Sequence, residues 1–116
     1  RRSIMAKRGP VIGRFMRAMA EAAKIMHTDK EFTYKIMEKY LLVKDRKLLE
    51  ASYNVEIKAL EPRLALKLEG FQSTLDEIAP TDPRAKAVKP QEMVDTRYLD
   101  EMEKSGFFDQ IWAGKR

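Results

Sequence analysis

Residues 9–26 of the 116-residue chain read GPVIGRFMRAMAEAAKIM, with apolar side chains recurring every three or four positions. This spacing is typical of an amphipathic α-helix that turns one face to a core. Pro10 fits the first helical position, where its missing N–H costs nothing. The face that we predict to be buried comprises Ile12, Phe15, Met16, Met19, Ala22, Ala23 and Met26.

Four further stretches repeat this spacing, and no stretch shows a convincing strand pattern. The sequence therefore predicts an all-α chain of about five helices with short loops, at roughly residues 10–27, 29–42, 46–61, 68–79 and 96–105. The predicted core faces of the last four helices are Phe32, Ile36, Met37, Tyr40 and Leu41; Leu48, Leu49, Ser52, Tyr53, Ile57 and Leu60; Leu68, Phe71, Leu75 and Ile78; and Tyr98, Leu99 and Met102.

The helix ends carry recognisable capping residues. Thr28 and Glu31 have the spacing of a capping box at the start of the second helix. Asp45 and Asp95 are predicted N-caps of the third and fifth helices. Gly106 stands where a left-handed residue would end the last helix.

Residues 80–94 are predicted to form a loop with at most short helical turns, because Pro83 and Pro90 interrupt the helical pattern. The tail at residues 108–112 is apolar, so we expect it to pack against the rest of the chain.

Composition bounds the class of protein. Hydrophobic residues make up 44% and charged residues 35% of a chain long enough for one small domain. There is no cysteine, which excludes disulfides and thiol nucleophiles. No apolar run approaches the roughly 20 residues of a membrane helix, so no membrane span is expected. Because the first residue is Arg1, we expect the natural start to lie upstream and treat residues 1–116 as one helical domain or fragment.

The positive charge is concentrated in the front half. Residues 1–50 carry 13 Lys and Arg against 6 Asp and Glu, a balance of +7, whereas the whole chain carries +5. A basic face of this kind is compatible with nucleic acid or an anionic surface. The residues available for phosphates are Arg1, Arg2, Lys7, Arg8, Arg14 and Arg17. No aromatic residues interleave with them as single-strand stacking requires.

The residue pattern predicts no catalysis and no cofactor. His27 is the single histidine, and neither cysteine nor a second histidine accompanies it as a metal ligand. Carboxylates cluster at residues 76–77 and 100–103, but adjacent acids on an amphipathic helix diverge into solvent. The four serines, Ser3, Ser52, Ser73 and Ser105, lack the context of a nucleophile. We therefore predict no catalytic, cofactor-binding or metal residues, and name no ligand-binding residue.

Several segments resemble one transport family in their order and spacing. In the second half these are TDPRAKAVKP at 81–90, VDTRYL at 94–99 and EKSGFFD at 103–109. In the first half they are FMRAMAEA at 15–22, MHTDKE at 26–31 and KYL at 39–41. Together they are similar to the C-terminal part of periplasmic solute-binding proteins from ABC importers of the nitrate, sulfonate and taurine class, whose superfamily includes the thiamine-precursor-binding proteins.

The resemblance implies a parent protein in the bacterial periplasm, with two α/β lobes that close on a small solute and deliver it to a membrane permease. In such proteins the C-terminal helices pack onto the lobes, and most cleft residues would lie upstream of Arg1. No ligand residue of the family is carried onto this chain.

Three expectations about partners follow. As part of its parent, the chain would serve a permease and a small-molecule solute without catalysis. Alone, it would self-associate through its apolar faces. The alternative is a free-standing basic helical module that binds nucleic acid or a protein partner, although nucleic acid is the less expected of the two.

Overall fold

A computed structural model describes residues 2–114 and the side chains of residues 3–114. Every regular element within this range is helical, and no residue of it lies in a strand, which confirms the all-α class. The α-helices are α1 (Arg2–Thr28), α2 (Lys30–Leu41), α3 (Arg46–Ala59), α4 (Leu68–Ile78), α5 (Pro90–Met93), α6 (Arg97–Lys104) and α7 (Phe107–Ala113), and a 3-10 helix spans Pro83–Ala87.

Helix α1 extends further upstream than predicted. It begins at Arg2 and is kinked at Arg8, where φ is −127° and ψ is 29°. The kink lies two residues before Pro10, whose ring and missing N–H are incompatible with a continuous helix. Pro10 therefore lies in the first turn of the segment that follows the kink, as predicted for a helix start, and a further helical segment precedes the kink.

Two of the predicted caps are wrong in detail. Asp29, not Thr28, caps α2, because its side chain accepts a hydrogen bond from the backbone N–H of Phe32. The hydroxyl of Thr28 instead donates to the carbonyl of Lys24 at 2.8 Å and so belongs to α1. At α6, Thr96 is the residue that precedes the helix, although the predicted cap Asp95 still accepts from the backbone N–H of Arg97.

Other predicted ends agree with the structure. Asp45 caps α3 by accepting from the backbone N–H groups of Lys47 and Leu48. Gly106 has the left-handed conformation, with φ of 73°, and it separates α6 from α7.

The segment predicted as a loop at residues 80–94 contains the 3-10 helix and the single turn of α5. Both elements begin at a proline, which is pre-organised for a helical start. Pro83 and Pro90, which predict interruptions of the helical pattern, thus begin short helices. The apolar tail forms α7 and packs against the core through Phe108, as expected of a packed tail.

Two separate hydrophobic clusters hold the chain together. Cluster 1 joins α1, α6 and α7 through the buried side chains of Ala20, Met102 and Phe108. Leu64 and Leu99 pack against it from the side. Its α1 component is small, so α6 and α7 approach α1 closely.

Cluster 2 joins α2 to α3 through Tyr34, Leu49 and Tyr53. The two tyrosine rings meet edge to face with centroids 5.3 Å apart, the geometry that aromatic quadrupoles favour. The hydroxyl of Tyr53 donates to the carbonyl of Met26 at 2.6 Å, which ties α3 to the end of α1.

The molecule is open for its size. Its accessible surface is 9141 Å², whereas a folded chain of this mass exposes about 6,500 Å². Its radius of gyration is 17.4 Å, against about 13–14 Å for a compact domain of similar length. The two clusters therefore leave much apolar surface uncovered.

Two leucines have the left-handed backbone conformation, which usually favours glycine. Leu42 follows α2 with φ of 56° and is 86% exposed. Leu64 has the same φ, but its side chain is half-buried against cluster 1. A side chain at such a φ costs roughly 1–2 kcal/mol, which burial offsets at Leu64 but not at Leu42.

We predict that Leu42→Gly raises the free energy of unfolding by about 0.5–1 kcal/mol, because it relieves strain and removes no buried contact. The matched change Leu64→Gly relieves the same strain but removes a packed side chain, so it should lower that free energy by about 1–3 kcal/mol. Urea unfolding followed by circular dichroism measures both. If the free energy of unfolding changed in the same direction in both variants, the exposure of the leucine side chain would not determine the effect of the substitution.

Candidate interaction surface

The single histidine is part of the packing. His27 is half-buried, and its Nε2 lies 2.9 Å from the carbonyl oxygen of Leu60. Its ring centroid is 6.0 Å from that of Trp112 on α7. His27 therefore links the end of α1 to the segment before α4 and to α7. Among residues 2–114, no group of three or more His, Asp or Glu side chains converges in a way that suits a metal ion.

The carboxylate clusters do not converge. Asp76 accepts from the side chain of Gln72 at 2.8 Å, and Asp100 accepts from the hydroxyl of Thr96 at 2.9 Å. Glu101 pairs with Arg17 on α1. The carboxylates of this second group thus face different partners on the surface, and no acid–base pair is formed.

The serines are likewise engaged locally. The hydroxyl of Ser73 donates to the carbonyl of Glu69 at 3.0 Å, and that of Ser105 donates to the carbonyl of Met102 at 3.3 Å. Ser3 is exposed and Ser52 is half-buried. Within the described residues, none of the four is hydrogen-bonded to His27.

The described basic residues of the front half differ in exposure and in partners. Arg17 pairs with Glu101, and its guanidinium lies 5.6 Å from the ring centroid of Phe107. Lys7, Arg8 and Arg14 are exposed. Arg1 and the side chain of Arg2 lie outside the described residues. One of the best phosphate candidates is thus used to hold α6 and α7 against α1.

The apolar face of α1 is divided between the core and the solvent. Ala23 is buried and Met16 half-buried against the neighbouring helices, in agreement with the predicted face. Phe15 and Met19 of the same predicted face are exposed, Phe15 to 61%. Val11 is exposed as well, and it lies on one line with these two because residues four apart share a helix face. Helix α1 therefore has apolar side chains on two sides, and only one of these sides packs against other helices of the chain.

Helix α2 shows the same division. The predicted core residues Phe32 and Ile36 are exposed, whereas Thr33 and Tyr34 are buried in their place. The prediction placed the core face of α2 about one residue away from where the structure has it. The sequence signal was ambiguous because both faces are apolar.

Helix α3 adds a smaller strip of the same kind, with Leu48 and Val55 exposed beside the buried Leu49 and Tyr53. We call seven of the exposed apolar residues on the first three helices the open stripes. They comprise Val11, Phe15 and Met19 on α1, Phe32 and Ile36 on α2, and Leu48 and Val55 on α3. On α4 the predicted face is better covered, with Leu75 buried and only Ile78 exposed.

The chain exposes more surface than a compact domain of its mass. The accessible surface of 9141 Å² exceeds that of a compact chain of this mass by about 2,600 Å². Each partner in a standard protein–protein interface contributes about 800 Å². The open stripes are part of this exposed surface, and contiguous exposed apolar residues are typical of interaction sites.

Two surface pockets lie beside ion pairs of the chain. The pocket between α1 and α6 has a volume of 610 Å³, and the ion pair of Arg17 and Glu101 lines it together with Tyr98. Another, of 470 Å³, is lined by Leu66, Leu99 and Phe108 beside the ion pair of Arg63 and Glu103. Arg14, which also lines the pocket between α1 and α6, forms no ion pair with the carboxylates that the structure describes.

Among the described residues, no helix has the length and apolar character needed to cross a membrane. No family model, curated protein or solved structure matches the chain.

We predict that Phe15→Ser changes the free energy of unfolding by no more than about 0.5 kcal/mol, because the side chain is exposed. The core change Met102→Ala should lower it by about 2–5 kcal/mol, since Met102 is 1% exposed. Thermal unfolding compares the two. A large loss of stability in Phe15→Ser would mean that the α1 stripe is covered within the chain itself.

Proposed function

We propose that this chain is the C-terminal helical part of the solute-binding component of an ABC importer of the nitrate, sulfonate and taurine class. In this proposal the parent acts in the bacterial periplasm and delivers a small solute to a membrane permease. The helical part performs no catalysis and holds no solute by itself. It lies against the α/β lobes of the parent and completes their packing.

The observation that carries the proposal is the exposure of apolar stripes on three consecutive helices. Phe15 on α1, Ile36 on α2 and Val55 on α3 all lie beside a buried face of the same helix. A helix with two apolar faces is typical of an element packed between two layers. The resemblance noted in the sequence implies an α/β lobe upstream, and we propose that this lobe is the second layer.

The paired arginines in the two pockets support the part of the proposal in which the helical part holds no solute by itself. An anionic solute needs a site with unpaired donors, and three of the four arginines that line the two pockets already pair with carboxylates of the chain, namely Arg17, Arg63 and Arg97. The fourth, the exposed Arg14, forms no ion pair with the carboxylates that the structure describes. We therefore propose that solute recognition lies in the upstream lobes, as the resemblance implies.

The proposal is tested by sequencing the source DNA upstream of the codon for Arg1. An open frame that encodes a signal peptide and two lobes of alternating strands and helices is expected. The longer protein should then bind nitrate, taurine, an alkanesulfonate or a pyrimidine in calorimetry, whereas the present chain should bind none of them. A start codon within a few residues of Arg1 would refute the proposal.

The isolated chain is expected to self-associate, because nothing else covers the open stripes in water. Like charges on the basic front half oppose this association, so it should strengthen as salt screens them. Sedimentation velocity at low and high NaCl measures the effect, and the double change Phe15→Ser with Ile36→Ser should return the chain to a monomer. A chain that remains monomeric at micromolar concentration, without binding an apolar dye, would contradict the expectation.

A further inference from the structure

The positive charge of the chain is concentrated in its first 20 residues. Residues 1–20 carry six Lys and Arg and no Asp or Glu, whereas residues 21–116 carry 17 Lys and Arg against 18 Asp and Glu. Nearly all of this first segment belongs to α1, which begins at Arg2. The net charge of +5 is therefore a property of the first part of α1, since the rest of the chain is close to neutral.

Carboxylates of the chain meet this basic segment on its packed side. Glu101 on α6 pairs with Arg17. Glu92 on α5 and Asp95, which precedes α6, line one pocket together with Met5 of α1. These carboxylates thus approach α1 from the side of α5 and α6.

The α1 stripe is bordered by cations. Val11 and Phe15 are exposed to 50% and 61%. The exposed Arg14 lies three residues after Val11 and directly before Phe15, so it is a neighbour of the stripe on the helix surface. Lys7 and Arg8 are exposed too, and they precede Val11 by four and three residues, at the kink of α1. Among the carboxylates that the structure describes, none forms an ion pair with these three cations.

A surface that covers Val11 and Phe15 also approaches these cations. Removing water from a cation costs free energy unless a carboxylate pairs with it. A neutral or basic cover is therefore disfavoured along this edge, whereas an acidic cover is attracted to it. The stripes of α2 and α3 do not impose this condition, because α2 holds three Lys against two Glu and α3 holds three Lys and Arg against two Glu.

We propose that the lobe surface that covers the α1 stripe is acidic, with an apolar centre against Val11 and Phe15 and carboxylates against Lys7, Arg8 and Arg14. This inference rests on the function proposed above, since it takes the occupant of the stripe to be a lobe of the parent protein. It adds the charge of the surface that this lobe presents to α1. Apolar contact at the centre with charge at the rim is the usual arrangement of a specific interface.

The test uses the longer protein encoded by the upstream frame, with Phe15→Cys as a thiol reporter that is read by maleimide labelling and peptide mapping. The charge reversal K7E/R14E should speed labelling at residue 15 about tenfold or more, because like charges then face each other across the interface. Labelling should also become faster as NaCl rises, since salt screens the attraction. A second reporter, Ile36→Cys on α2, should respond to neither change.

The matched control is K86E/K89E, which changes the net charge by the same amount at two exposed lysines beyond α4 and should leave residue 15 protected. Circular dichroism checks that each variant melts as the unchanged protein does.

The outcomes separate this inference from the function on which it rests. Equal labelling of Phe15→Cys in the isolated monomer and in the longer protein, before any charge reversal, would refute both, as would the absence of an upstream frame. Protection in the longer protein that K7E/R14E leaves unchanged would overturn the acidic surface alone. So would protection of residue 15 in the isolated monomer, to the level of the longer protein, by duplex DNA or by vesicles of equal parts phosphatidylserine and phosphatidylcholine.

Discussion

The structure depends on one constraint: the first three helices have more apolar surface than the chain can cover. Cluster 1 buries one side of α1 at Ala20, and cluster 2 buries one side of α2 and one side of α3. The other sides face water. Because water disfavours apolar surface in proportion to its area, the free energy of the chain is lowered by whatever covers these helices.

The two clusters fix the shape in which the stripes are presented. Small residues on α1 allow α6 and α7 to approach, and the ion pair of Arg17 with Glu101 reinforces that contact at the surface. Surface ion pairs contribute little stability by themselves, so cluster 1 carries most of this contact. At the other end, the hydroxyl of Tyr53 joins α3 to the end of α1. The open stripes therefore belong to helices that are held in place before any partner binds.

The all-α class, most helix positions and the inward faces of α4 and α6 could be predicted from periodicity, because those helices are apolar on one side only. The faces of α1 and α2 could not. Phe15 and Ile36 are as apolar as Met16 and Tyr34, and periodicity alone does not say which side meets the rest of the chain. The cap at Asp29 was missed because Thr28 offers the same chemistry one residue earlier. Leu42 was missed because a left-handed leucine has no sequence signature.

Under the proposed function, the upstream lobes of a longer protein cover the open stripes. The chain has no cysteine, so a cysteine introduced at residue 15 is the one thiol within residues 1–116, and peptide mapping reads its labelling in the longer protein. Its rate of maleimide labelling should be high in the isolated monomer at low concentration and at least about tenfold lower in the longer protein, since a covered site reacts only when it opens. A cysteine at residue 77, on the exposed face of α4, serves as the control and should react equally in both. Equal rates at residue 15 would contradict the account.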